Sequence, residues 1–106
     1  MPKYLINGSY TAAGAKGLLK DGGSKRRAAV KAFTEKLGGK LESFHFAFGT
    51  SDFYVIVDLP DAASAAAVSL TVGASGAASC HTIVLVTPEE IDAATKKSVD
   101  YRPPGA

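Results

Sequence analysis

Three polar side chains on one predicted β-hairpin could act together chemically. The hairpin pairs residues 40–48 with a strand from Asp52 or Phe53 to Leu59, with Phe48 facing Phe53. This register places His45 near Tyr54 on one face, with Asp58 farther along the second strand. An imidazole group titrates near neutral pH, so His45 could be a general base, with Tyr54 and Asp58 as hydrogen-bonding groups. No paired base accompanies His45, so a polar position in a subunit interface is the favoured alternative. Asp58 could equally form an interface salt bridge.

Arg26 is the most informative single charge. At 100° per residue it falls on the same helical stripe as Val30, Phe33 and Leu37, which is the stripe expected to pack against a core. A packed arginine needs a partner, because an unpaired buried charge costs several kcal/mol. We favour an ion pair with a carboxylate of the hairpin. The alternative is an anionic ligand near the glycine pair at 22–23.

Asp52 stands at the end of the predicted hairpin loop. A carboxylate in this position can accept backbone N–H groups of its own turn or of the first helix. Aspartate is a frequent turn former, so a turn role is favoured over a catalytic one.

Other catalytic and cofactor patterns are missing from the chain. It shows no Ser-His-Asp spacing, no metal-ligand cluster and no dinucleotide fingerprint, and the Gly22-Gly23-Ser24 run lacks the Lys-Ser/Thr of a phosphate-binding loop. The single Cys80 excludes an internal disulfide and is expected to be an inert small core residue. His81 is expected to be exposed on an edge strand. No cofactor or metal is predicted.

Length and charge distribution restrict the class of protein further. A chain of 106 residues fits one domain and can fold without disulfide bonds or metal ions. Residues 16–40 carry eight of the twelve Lys and Arg residues, whereas residues 41–61 carry four acidic residues and no basic one. Such a dipolar surface argues against nucleic-acid binding. No apolar run has the roughly 20 residues of a membrane span, and the N-terminus lacks a signal core. We expect a cytoplasmic protein with no membrane contact.

Hydrophobic periodicity, capping residues and glycines predict the elements that position these groups. The first strand spans 3–10, and a helix capped by Thr11 follows it, with a break at 21–23, a second cap at Ser24 and its end at 38–39. Two strands, 40–48 and 52–59, are joined by a loop at 49–52. An alanine-rich helix from Asp61 to about 75, a strand over 79–86 and a short helix after Thr87 complete the chain. The order is β-α-β-β-α-β with one added C-terminal helix.

This order predicts an α+β, ferredoxin-like antiparallel sheet with two helices on one face. The other face is expected to stay open and to carry Tyr4, Ile6, Tyr10, Tyr54 and Ile56. An exposed aromatic and aliphatic face usually marks an interface, so we expect a homodimer or higher oligomer. The domain is assigned to residues 1–98. The extended tail, 99–106, is expected to strap across a neighbouring subunit.

The runs Gly38-Gly39-Lys40-Leu41 and Phe48 to Asp61 (FGTSDFYVIVDLPD) resemble the GYD domain family of small, largely uncharacterised bacterial proteins. The resemblance extends from the opening strand to the closing tail. It implies a relative of the dimeric α/β-barrel proteins, in which two ferredoxin-like sheets pack face to face. Gly49 and Asp52 match the motif that names the family, but Ser51 stands where its tyrosine is expected.

Two functional hypotheses follow. The first is a homo-oligomeric small-molecule-binding or accessory protein, with its ligand in the cleft between sheet and helices or at the subunit interface. The second is a cofactor-independent enzyme of the dimeric α/β-barrel type, a monooxygenase, isomerase or lyase acting on a small apolar substrate. An interaction scaffold without a ligand is a third outcome.

Overall fold

A computed structural model describes all 106 residues. The elements, in chain order, are β1 (Lys3–Tyr10), α1 (Ala12–Asp21), α2 (Gly23–Lys36), β2 (Lys40–Phe46), β3 (Phe53–Asp58), α3 (Ala62–Ser75), β4 (Ala78–Leu85) and α4 (Pro88–Thr95). No helix combines the length and the apolar character that crossing a membrane requires.

The four strands form one antiparallel sheet in the order β2-β3-β1-β4. Each helical connection joins two parallel strands that have a third strand between them, which is the ferredoxin-like arrangement. The predicted α+β fold is therefore confirmed, including the edge position of β4 and the added helix α4. On one face of the sheet α2 packs over β2 and α3 packs over β4, and we call this the covered face.

The hydrophobic core lies between the covered face and these two helices. Along β3, every second residue from Phe53 to Val57 is buried, which is the period-two pattern of a strand with one face inward. Gly8 in β1 allows the close approach of its neighbours, because a Cβ atom there would lie 2.0 Å from the carbonyl oxygen of Ser79. The core residues are Tyr4, Ile6, Val30, Phe53, Val55, Val57, Leu59, Ala65, Val68 and Ala78.

The prediction for the faces of β1 was wrong. Tyr4 pairs with Val57 and Ile6 pairs with Val55, so both are buried on the covered face, and Tyr10 packs on Phe53 at 5.2 Å between ring centroids. The other face of the sheet, the open face, carries Leu5, Asn7 and Ser9 from β1 instead. Large apolar side chains occur at both the even-numbered and the odd-numbered positions of β1, so the alternation alone did not identify which positions face the core.

The hairpin register also differs from the prediction. Phe46 pairs with Phe53 and His45 with Tyr54, so the loop spans residues 47–52 and not 49–52. Phe44, Phe46 and Phe53 share the covered face, because the two extra loop residues leave the alternation of the strands unchanged. Phe48 is the exception, because it lies in the longer loop and is fully exposed.

The helix ends follow the predicted caps with one exception. Thr11, Asp61 and Thr87 each accept a backbone N–H in the first turn of the helix that follows, and Thr87 forms a full capping box with Glu90. Ser24 is not a cap, because α2 already begins at Gly23. Its N-cap residue, Gly22, has a φ of 82°, a left-handed conformation that glycine adopts without strain.

Candidate functional site

An apolar groove runs between α2 and α3 on the covered side of the sheet. The two helices are splayed and hardly touch, which leaves a groove of about 560 Å³. Its walls come from Phe33 and Leu37 on α2 and from Val68 and Val72 on α3, with Lys36 and Thr71 as the polar lining residues. The volume lies within the usual range for small-molecule sites, roughly 300–1,000 Å³. The helix α3 is rich in alanine, and its small side chains allow it to lie close to the sheet at the bottom of the groove.

An internal cavity of about 40 Å³ lies next to the groove and shares Phe33, Val68 and Val72 with it. This volume has room for a few water molecules at most. Nearly all of its lining is apolar, and Arg26 is the one charged residue that contributes to it. Groove and cavity together form an apolar site with one cation in the lining of each, Arg26 in the cavity and Lys36 in the groove.

The ion pair predicted for Arg26 is absent. The half-buried guanidinium has no carboxylate within 4 Å and forms no hydrogen bond. Asp21, which shares a shallow cleft with Arg26, lies 3.7 Å from Lys25. The carboxylates of the hairpin are engaged elsewhere, with Lys3 and with the backbone of β1. The stripe prediction was correct, but its favoured partner was not, so Arg26 is available to an external anion.

The open face brings together three of the predicted site residues. His45 lies directly opposite Tyr54 across β2 and β3, and Asp58 lies on the same face four residues beyond Tyr54. Tyr54 is 39% exposed, and neither ring is hydrogen-bonded within the chain. None of the larger pockets of the chain is lined by His45, Tyr54 or Asp58, so a ligand-sized pocket there requires a second surface.

Asn7 and Ser51 also belong to the open face, and neither was predicted as a site residue. Asn7 pairs with Tyr54 on one side and with His81 on the other, and its amide donates to the Ser51 hydroxyl at 3.0 Å. The Asn7 Oδ1 atom is buried and has no hydrogen-bond partner, which is rare for a polar atom. The available signal was an asparagine next to Ile6 in the middle of a central strand. Ser51, which replaces the expected tyrosine, is buried against β1.

Asp58 takes part in an ion-pair cluster at one end of the open face. The Lys3 Nζ atom lies 2.7 Å from a Glu42 carboxylate oxygen and 2.9 Å from one of Asp58. Hydrogen bonds to Glu42 and then to Asp58 raise the pKa of Lys3 above its ordinary value of 10.5. Asp58 therefore forms a salt bridge within its own chain.

Asp52 anchors the hairpin loop to β1. Its carboxylate accepts the Tyr10 N–H at 2.9 Å, and its own N–H donates to the Gly8 carbonyl at 2.7 Å. This is the backbone-binding role that was favoured for Asp52, with the end of β1 rather than the first helix as the partner. The Ser9 hydroxyl also donates a hydrogen bond to the Thr50 carbonyl in this loop.

The predicted site residues thus fall in three places. His45, Tyr54 and Asp58 share the open face, Arg26 lines the cavity on the opposite side of the sheet, and Asp52 lies at the sheet end between them. His81 is exposed and Cys80 is half-buried with a free thiol. No three His, Cys, Asp or Glu side chains converge as a metal site.

Comparison with known proteins gives one match. The GYD domain model matches residues 4–95, which is most of the chain. No curated protein and no solved structure matches it.

Proposed function

The chain belongs to the GYD domain family, and we propose that it is a homo-oligomeric protein that binds a small amphipathic anion. The apolar part of the ligand occupies the groove between α2 and α3, and its negative group meets Arg26. One observation carries the proposal. An apolar groove of ligand size adjoins a cavity whose one charged lining residue has no partner in the chain.

Electrostatics support an anion rather than a neutral or cationic ligand. An arginine side chain that is partly removed from water and left unpaired loses solvation without compensation. An anionic group would restore that interaction through charge-assisted hydrogen bonds, which are about twice as strong as neutral ones. Lys36 lines the groove, makes no ion pair and adds a second positive charge.

Self-association is supported by the composition of the open face. Leu5, Ile56 and the exposed Tyr54 form an apolar strip across the two central strands, with Ile83 beside them on β4. In a four-stranded sheet with helices on one side only, such a strip is usually covered by another surface. Two open faces packed together would form the dimeric α/β barrel that the family resemblance implies. A cytoplasmic location remains a prediction.

The ligand proposal is tested with two probes of similar shape and different charge. Anilinonaphthalene sulfonate carries one negative charge, and N-phenyl-1-naphthylamine is its neutral counterpart. We expect saturable fluorescence with the sulfonate, and Arg26→Met should weaken its binding by about tenfold, or about 1.4 kcal/mol. The neutral probe should bind both proteins equally.

Arg27→Met is the matched control, because Arg27 is exposed and does not line the cavity. A second variant, Ala67→Phe, places a ring in the groove and should abolish binding of both probes. Equal effects of the Arg26 and Arg27 variants, or no saturable binding to the native protein, would exclude the proposal. Native mass spectrometry of the purified protein then identifies any retained ligand.

Self-association is tested separately by light scattering during gel filtration. Tyr54→Glu should convert the oligomer into monomers, because it adds a charge to the centre of the apolar strip. Phe48→Glu is the control, since Phe48 is fully exposed but lies in the loop beside α1. A native protein that elutes as a monomer would contradict this part of the proposal and leave the ligand part standing.

The second candidate function is the cofactor-independent enzyme. It is favoured by His45 opposite Tyr54, which together offer a base and a hydrogen-bond donor on one face. The partner sheet would have to close this site. If a ligand identified by mass spectrometry is converted in excess of the protein concentration, and His45→Gln abolishes the conversion, this function replaces simple binding.

A further inference from the structure

One side of the molecule carries no charge. The segment from Ala62 to Pro88 contains no aspartate, glutamate, lysine or arginine, although the chain as a whole is 21% charged. It forms α3 and β4, which lie together because α3 packs over β4. Much of this side is on the surface, since Leu70 on α3 is 74% exposed and Val84 on β4 is 61% exposed. An uncharged, exposed apolar surface of this kind usually marks an interface.

The strand β4 also presents unpaired backbone groups. It is an edge strand, since β1 is its one neighbour in the sheet. The Thr11 N–H donates to the Ala77 carbonyl at 3.0 Å, which continues the β1–β4 register and identifies a hydrogen-bonded pair. Hydrogen-bonded pairs alternate along an antiparallel ladder, so the odd-numbered residues of β4 bond to β1. The even-numbered residues Cys80, Thr82 and Val84 therefore direct both N–H and C=O to the free edge.

The chain that follows β4 turns away from this edge. Thr87 and Glu90 line one cleft together with Lys3, at the start of β1. The strand β1 lies on the opposite side of β4 from the free edge. No other segment of the chain forms a backbone hydrogen bond to the free edge. These backbone groups are therefore available to a second molecule.

The two edges of the sheet differ in how they are protected. On β2, Lys40 and Glu42 are exposed, and the register shifts between Leu41 and Ser43. Charged side chains and bulges are the usual means by which proteins block an edge strand. The strand β4 has eight residues with regular pairing, no charge and no proline. It is therefore the edge that can accept another strand.

We propose that β4 pairs with β4 of a second copy of this chain, antiparallel across a two-fold axis. The contact joins two four-stranded sheets into one continuous sheet. A two-fold axis perpendicular to the sheet keeps each residue on its own face. Thr82 then lies opposite Thr82 of the second copy, and Cys80 lies opposite Val84. These pairs give about six backbone hydrogen bonds between the copies.

A second copy matches this surface in charge and in shape. Because both edges are uncharged, two copies meet without electrostatic repulsion. At 100° per residue, Ala62, Ala66 and Gly73 lie on the flank of α3 that faces away from the groove, and these small residues leave room for a second α3. An edge about 27 Å long and about 20 Å thick would bury on the order of 1,000 Å² in the pair, the low end for a specific interface. We therefore expect pairing in concentrated and not in dilute solution.

Hydrogen exchange tests this contact separately from the ligand and from the open face. The measurement uses Tyr54→Glu, in which association through the open face is blocked, and NMR follows each amide in dilute and in concentrated solution. In dilute solution the Thr82 and Val84 amides should exchange fast, whereas that of Ile83, which bonds to β1, should exchange slowly. In concentrated solution exchange at Thr82 and Val84 should slow by about tenfold, with Ile83 as the control within the strand.

Packing on the open face cannot protect alternate amides of β4, so the two proposed contacts give different results. A native protein that is a monomer in dilute solution contradicts the open-face contact alone. Fast exchange of Thr82 and Val84 at every concentration would overturn pairing with a second copy and would leave the edge to an extended segment of another protein.

A pair of variants at Val84 gives an independent test. Val84→Pro removes an N–H that points to the free edge, and proline is tolerated at such positions of edge strands. Val84→Ala is the matched control, because it shortens the side chain and keeps the N–H. By sedimentation of concentrated protein in the Tyr54→Glu background, the proline should weaken pairing by about tenfold and the alanine much less. Equal effects contradict the proposal. If urea unfolding shows that Val84→Pro does not fold, the exchange measurement, which needs no change in β4, decides.

Discussion

The two faces of the sheet show how differently one set of strands can be used. The covered face holds the β-branched and aromatic residues of the core, and residues such as Val57 are 2% exposed there. The open face mixes Leu5 and Ile56 with Asn7, His45 and the Lys3 cluster. The covered face completes its packing within the chain. The open face leaves both apolar area and a polar atom without partners, and this difference is the main physical reason to expect self-association.

The largest effect is expected where the covered face is tightest. Gly8→Ala adds a methyl group 2.0 Å from the Ser79 carbonyl oxygen and 2.9 Å from the Phe53 ring. The first contact is with backbone, so the strands must move apart, and we expect a loss of about 3 kcal/mol or more in the free energy of unfolding. Urea denaturation measures it. Ser9→Ala, the next residue and on the open face, is the control. Equal losses would mean that β1 is not packed as described.

Val57 and Ile56 provide the next comparison, because they are sequence neighbours on opposite faces. Val57→Ala should reduce the free energy of unfolding by about 2–3 kcal/mol, through lost transfer free energy and the cavity left behind. Ile56→Ala should cost about 1 kcal/mol or less in the dilute monomer. The same variant should weaken the dimer, as followed by sedimentation. A larger loss for Ile56 than for Val57 in the monomer would reverse the assignment of the two faces.

Asp52 connects the hairpin loop to β1, and its removal should have an intermediate effect. Asp52→Ala leaves the Tyr10 N–H without its charged acceptor and should cost about 1.5–3 kcal/mol in thermal or urea unfolding. Thr50→Ala is the matched control within the loop, because the side chain of Thr50 forms no hydrogen bond and only its carbonyl is used. An effect of Asp52→Ala no larger than that of the control would remove the anchoring role.

The smallest effect is expected at the exposed end of the open face. The pKa of Lys3 is raised above 10.5 by Glu42 and Asp58, so its charged form is favoured in the folded chain. The stabilisation is therefore fully present below 10.5 and is lost as the pH rises through the higher folded-state pKa. Lys3→Met should be slightly less stable than the native chain at neutral pH. The difference should vanish in strongly alkaline solution, and a constant difference would contradict the pKa shift.

The sequence was sufficient to predict most of the architecture, because interactions between neighbouring residues decide where helices and strands begin and end. Capping residues at Thr11, Asp61 and Thr87 located three helix starts to the residue. The alternation from Phe53 to Val57 identified a strand with one buried face. Together these elements allow few topologies, and the ferredoxin-like one is observed. The hairpin register was displaced by two residues, because a six-residue loop and a four-residue loop keep the same face inward.

The candidate site was predictable only in part. The helical stripe correctly placed Arg26 among core residues, and the parity of the hairpin correctly placed His45 and Tyr54 on the same face, although the predicted register did not set them directly opposite each other. Long-range partners were out of reach. Lys3 donates a hydrogen bond to Asp58, which is 55 residues away in the sequence, and Asn7 donates one to Ser51, which is 44 residues away.

The sequence by itself determined the order of the elements and the separation of basic and acidic segments, because periodicity, capping and charge are properties of neighbouring residues. The family resemblance came from its motifs, chiefly the hairpin run Phe48 to Asp61. Only the tertiary structure decided which face of β1 is buried, that Arg26 has no ion pair, and that every residue of α4 is exposed. These features depend on strand order, on competition among carboxylates for cations and on the direction in which the chain leaves β4. Residues distant in the chain determine each of them, so no local pattern could predict them.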